Sequence, residues 1–62
     1  MNARPIVFTV RVLLKDFYDD SYREIKAYRK VFALSAKEAA DKITREHDYF
    51  DPKFLVMAAR SY

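Results

Sequence analysis

The chain predicts an α+β fold of the ββαβ kind, a three-stranded antiparallel sheet in the order 2-1-3 with one helix packed on one face. Three observations predict it. Residues Ile6 to Leu14 and Phe54 to Ala59 read as strands that are apolar on both faces, the second splitting into Phe54, Val56 and Ala58 against Leu55, Met57 and Ala59. Ser35-Ala36-Lys37-Glu38 has the form of a capping box and opens a stripe of apolar residues spaced by three and four. Between the first two apolar segments lies an acidic, serine-containing reversal, which suits a hairpin.

The first strand spans about residues 5–15. Ile6, Phe8, Val10, Val12 and Leu14 share one side, and Val7 and Leu13 keep the other partly apolar. Its proline stands at the start, where no ladder bond is lost. Asp19-Asp20-Ser21 is the expected turn, since Asp and Ser bond their own nearby backbone. The chain has no glycine, so a tight Asn-Gly turn is not available and a looser loop is expected. The second strand covers about residues 22–34, and two strands of this length make a hairpin that projects from the rest of the domain.

The helix is expected over about residues 36–50. Ser35 caps it, Glu38 reaches back, and Leu34 and Ala39 sit at the staple positions. Ala36, Ala39, Ala40, Ile43, His47 and Phe50 form the buried stripe, opposite Lys37, Asp41, Lys42, Arg45 and Asp48. Asp51-Pro52 stops it, because the residue before proline avoids the helical region. A third strand follows over about residues 53–60. A right-handed crossover returns it beside the first strand, and the first strand is the most apolar of the three, as a central strand should be.

One helix covers one face, so the other face is left over. Phe8, Val10, Val12, Ile25, Ala27, Val31, Ala33, Phe54, Val56 and Ala58 are assigned to the covered side. The opposite assignment for strand two would bury Lys26 and Lys30, and an unpaired buried ammonium is very costly. The open side then collects Val7, Thr9, Arg11, Leu13, Lys26, Tyr28, Lys30, Phe32, Leu55 and Met57.

Size and composition bound the function. Sixty-two residues make one domain, of which folding buries only about 60% of the surface. There is no cysteine and a single histidine, so disulfides and a structural zinc site are excluded as staples. A well-filled core or a second copy must supply stability, and 52% hydrophobic residues permit it. The net charge of +3 belongs to the N-terminal half: residues 1–34 hold seven Lys/Arg and four Asp/Glu, residues 35–62 five of each. The N-terminus does not read as a targeting peptide, and no apolar run approaches the ~20 residues of a membrane span. A cytoplasmic location is the expectation.

Two sites are expected. Leu13, Tyr28, Phe32, Leu55 and Met57 form an interface for protein, either a second copy or another chain. The hairpin tip adds Asp16, Phe17, Tyr18, Asp19, Asp20 and Tyr22, with Glu24 nearby, an acidic and aromatic finger suited to a basic groove. The alternative is a nucleic-acid module in which Tyr28 and Phe32 stack bases while Arg11, Lys26 and Lys30 hold phosphates. No cofactor, metal or small-molecule substrate is expected. The tip lacks the ligand pattern and glycine of a calcium loop, His47 has no catalytic companion, and without glycine there is no phosphate loop. The chain is read as non-enzymatic.

The run Val31-Phe32-Ala33-Leu34-Ser35-Ala36-Lys37-Glu38-Ala39-Ala40-Asp41-Lys42-Ile43 resembles the strand-cap-helix segment of small ββαβ accessory proteins encoded by phages and other mobile elements. The resemblance covers residues 31–43 only. It implies a non-enzymatic accessory or inhibitor of a larger protein, and assigns no functional residue.

Overall fold

A computed structural model describes residues 4–61. The elements follow as β1 (Ile6–Asp16), β2 (Ser21–Ala33), α1 (Ala36–His47) and β3 (Phe54–Arg60). They form one antiparallel sheet in the order β2-β1-β3, the arrangement that the apolar pattern predicts. The molecule extends 48 × 22 × 15 Å, because the β1–β2 ribbon runs on past the part of the sheet that the helix covers.

The core lies between α1 and the even-numbered residues of β1. Phe8, Val10, Val12, Val31, Ala33, Ala39 and Ile43 are buried, with Ile6, Tyr28, Tyr49, Phe54, Val56 and Ala58 around them. The largest completely buried side chains are the valines Val10 and Val12, so this is a small core in which each large side chain counts.

Helix α1 starts as a capped helix should. Ser35 has extended backbone, and its Oγ accepts from the Glu38 amide at 3.1 Å. The Glu38 carboxylate accepts from the amide of Leu34, one residue before the cap. The helix ends at His47, short of Phe50. Asp48 takes the left-handed conformation at φ 58°, and the amides of Asp48 and Tyr49 both donate to the Thr44 carbonyl. This is a glycine-type stop made by aspartate, a residue that tolerates αL. Phe50 therefore leaves the buried stripe and is exposed.

The hairpin reverses over residues 17–20. Asp16 Oδ1 accepts from the Tyr18 amide, and Asp19 Oδ1 accepts from both the amide and hydroxyl of Ser21. Asp20 adopts φ 60°, the position a glycine would otherwise take.

Strand β2 corrects the expected face assignment. It has thirteen residues against the eleven of β1, and the surplus is absorbed in two bulges. Arg29 and Lys30 together oppose Thr9, with Lys30 at φ 59°, and Ile25 is the extra residue between Lys26 and Glu24. Each bulge slips the side-chain alternation by one residue. Tyr28 therefore pairs with Val10 and Lys26 with Val12, on the helix side, whereas Ala27 pairs with Arg11 on the open side. Ile25 is exposed at its bulge. The desolvation argument against this register does not apply, since the helix does not reach Lys26, which stays exposed.

Candidate interaction surface

The sheet face turned away from α1 is built from the odd-numbered residues of β1 and their partners. Val7 faces Phe32, Thr9 faces Ala59, Arg11 lies between Ala27 and Met57, and Leu13 lies between Glu24 and Leu55. Phe32 is 55% exposed and Met57 53%, so their apolar surface is open to water and not tucked beneath neighbours. The Thr9 and Ser61 hydroxyls hydrogen-bond each other at the rim. Leu13, Phe32, Leu55 and Met57 are thus brought onto one face, as expected, and Val7, Ala27 and Ala59 join them.

One cation on this face, Arg11, is ion-paired, whereas Arg29, which lines a groove with it, has no such partner among the described residues. Arg11 Nε lies 3.4 Å from Glu24 Oε1. Of the residues that a nucleic-acid surface would need, only Arg11 and Phe32 stand on the open face. Tyr28 and Lys26 are on the other side, and Lys30 occupies the bulge at the sheet edge. The stacking-plus-phosphate constellation is not assembled.

Tyr28 instead belongs to an aromatic cluster at the C-terminal end of α1. Its ring stacks on His47 at 4.5 Å between centroids, its hydroxyl meets that of Tyr49 at 2.7 Å, and Tyr49 meets Phe54 edge-on. The Lys26 ammonium lies 5.8 Å from the Tyr28 ring centre, within cation–π range. The Tyr49 hydrogen bond, assisted by burial, pushes the Tyr28 phenol up from 10.0 to about 12. The bonded form is the neutral one, so its stabilisation is fully present below pH 10 and is lost as pH rises towards about 12. Thermal midpoints measured across that window should fall, and Tyr28→Phe should flatten the fall. An equal fall in the variant would show that the phenol pair does not contribute.

The hairpin tip is a second exposed group. Phe17 and Tyr18 are exposed at 71% and 102%. Lys15 Nζ bonds Asp20 at 3.0 Å and sits 5.3 Å over the Phe17 ring. Asp20 raises the Lys15 pKa through that hydrogen bond, and the Ser21 hydroxyl lowers that of Asp19. Part of the tip's negative charge is therefore answered within the loop. Tyr22, on the open-face side of β2 opposite Lys15, links the tip to the sheet surface.

Sequence reasoning missed the bulges, and with them the places of Tyr28, Lys26, Ala27 and Glu24. The usable signal was the surplus length of the second expected strand, about residues 22–34, over the first, about residues 5–15. Among the described residues, no group of three or more His, Cys, Asp or Glu side chains is placed to hold a metal ion, and no helix is long and apolar enough to cross a membrane. Comparison with family models, with curated proteins and with solved structures finds no match to this chain.

Proposed function

We propose that this chain is a non-enzymatic protein-binding module, homodimeric, that presents its open sheet face and hairpin tip to a larger protein. The observation that carries this reading is the set of apolar side chains on the open face, Phe32 beside Val7 at one end and Ala27, Met57, Leu13 and Leu55 around Arg11 at the other, drawn from all three strands. Water-exposed apolar surface of this kind, bordered by polar residues, is characteristic of protein contact sites. Phe32 and Met57 are the types that interfaces favour, and Phe17 and Tyr18 supply aromatic anchors at the far end. The placement of Lys26, Tyr28 and Lys30 off the open face favours a protein partner over a polyanion. The resemblance of residues 31–43 to mobile-element accessory proteins agrees with a binding role.

Titration of a fluorescent single-stranded oligonucleotide tests this against phosphate recognition. Binding should be no tighter than the ~1 µM limit of non-specific association at physiological salt. Lys26→Glu with Lys30→Glu should change it only modestly. Tight binding that falls steeply with salt and is abolished by that double variant would overturn the protein-binding reading.

A further inference from the structure

The two edges of the sheet are unlike. The outer edge of β2 carries both bulges, Lys30 at φ 59°, and the charged residues Arg23, Glu24, Lys26, Arg29 and Lys30. Bulges and charges are how proteins keep an edge from pairing. Strand β3 has no bulge, and its one charged residue is Arg60 at its end. Its register against β1 is unbroken from Phe54 to Arg60, and Leu55 to Ala59 contains no charged residue.

The hydrogen-bond phase shows what that edge offers. Ser61 donates to the Val7 carbonyl and Lys15 donates to the Lys53 carbonyl. Odd-numbered residues of β3 therefore bond to β1, and even-numbered ones turn their amides and carbonyls outward. The Phe54 amide is used by the Asp51 carbonyl. Among the described residues, the outward amides of Val56, Ala58 and Arg60 have no backbone or side-chain acceptor.

We infer that β3 pairs antiparallel with β3 of a second copy, about a two-fold axis through Met57, to give a six-stranded sheet. This rests on the homodimeric part of the proposed function and defines its geometry. The sequence of β3 is self-complementary about Met57. In that register Val56 faces the partner's Ala58 and Leu55 faces the partner's Ala59, a large residue against a small one on each face. Phe54 faces the partner's Arg60, a cation–π pair, and Lys53 faces the partner's Ser61. No like charges meet. The outward amides of Val56, Ala58 and Arg60 each gain an acceptor, the β-addition mode in which main-chain bonds supply affinity. Edge pairing also leaves the open faces uncovered and joins them into one surface twice as wide, so that dimer formation and capture of a larger protein do not compete.

Light scattering on wild type, Phe32→Asp and Ala58→Pro tests this. Proline at position 58 removes an amide that points to the free edge, a place where strands tolerate it. Wild type and Phe32→Asp should be dimers at concentrations where Ala58→Pro is monomeric, with dissociation at least ten-fold easier in the proline variant. A dimer kept in Ala58→Pro but lost in Phe32→Asp would overturn edge pairing and leave self-association through the faces. A dimer dissolved by both substitutions would overturn it too, since Phe32 lies on β2. A wild-type monomer would remove homodimerisation altogether. A second measurement does not depend on the proline variant folding. Met57 would face its own counterpart at a Cα separation of ~4.5 Å, within disulfide range. In the Phe32→Asp background, Met57→Cys should form a disulfide-linked dimer at least ten-fold faster than Leu55→Cys, and equal rates would contradict the register.

Discussion

Replacing Phe8 with alanine should leave the chain largely unfolded at physiological temperature. Phe8 is 4% exposed and packs with Val31, Ala39 and Ile43 beneath α1. Truncating a buried phenylalanine costs about 3–5 kcal/mol, the lost transfer energy plus the cavity. A single-core domain of this size has only about 3–5 kcal/mol to lose, so one side chain matches the whole margin. Circular dichroism and a denaturant titration would read this. A Phe8→Ala protein that retains a cooperative transition within ~1 kcal/mol of wild type would show that the core is not where the structure places it.

Phe32→Asp should have the opposite profile. Phe32 lies on β2, next to the β1 strand that carries Phe8, but it faces away from the helix and is half exposed. Its replacement creates no cavity and buries no charge. The expected cost to stability is under ~1 kcal/mol, with the dichroism spectrum unchanged. The effect on binding should be large, because a carboxylate placed in an apolar contact must be desolvated without a partner. An aromatic anchor buried by a partner contributes at least ~2 kcal/mol to an interface, which is roughly a thirty-fold loss of affinity. Two phenylalanines on one sheet are thus expected to separate folding from binding: Phe8→Ala should affect the first and Phe32→Asp the second.

Much of this architecture was legible in the residues. Period-two alternation in β1 and β3 runs unbroken in the structure, so Phe8, Val10, Val12, Val56 and Ala58 fall on the expected side. The capping box at Ser35 placed the start of α1 because its hydrogen bonds are local. The end of α1 was less legible. Asp48 makes the left-handed stop that glycine usually signals, and the Asp51-Pro52 boundary drew the expected helix too long.

Strand β2 shows a different kind of failure. A lysine on the helix side was rejected because burying an ammonium is costly, a sound rule applied to a site that the helix does not cover. Nothing local marks Ile25 or Lys30 as bulge residues, since neither is glycine. The slip is decided by the whole hairpin, in which thirteen residues must match eleven. The open face survived this correction because it rests mainly on β1 and β3, while it lost Tyr28, Lys26 and Lys30 and kept Phe32 and Arg11.

The measurement that tests the central claim most directly is capture of protein partners on immobilised wild type, Phe32→Asp and the Lys26→Glu/Lys30→Glu double variant, after nuclease treatment and at high salt. The apolar face predicts that the same protein is retained by wild type and by the double lysine variant and is lost with Phe32→Asp. Retention that survives Phe32→Asp, or that disappears with the lysines or with the nuclease, would contradict it.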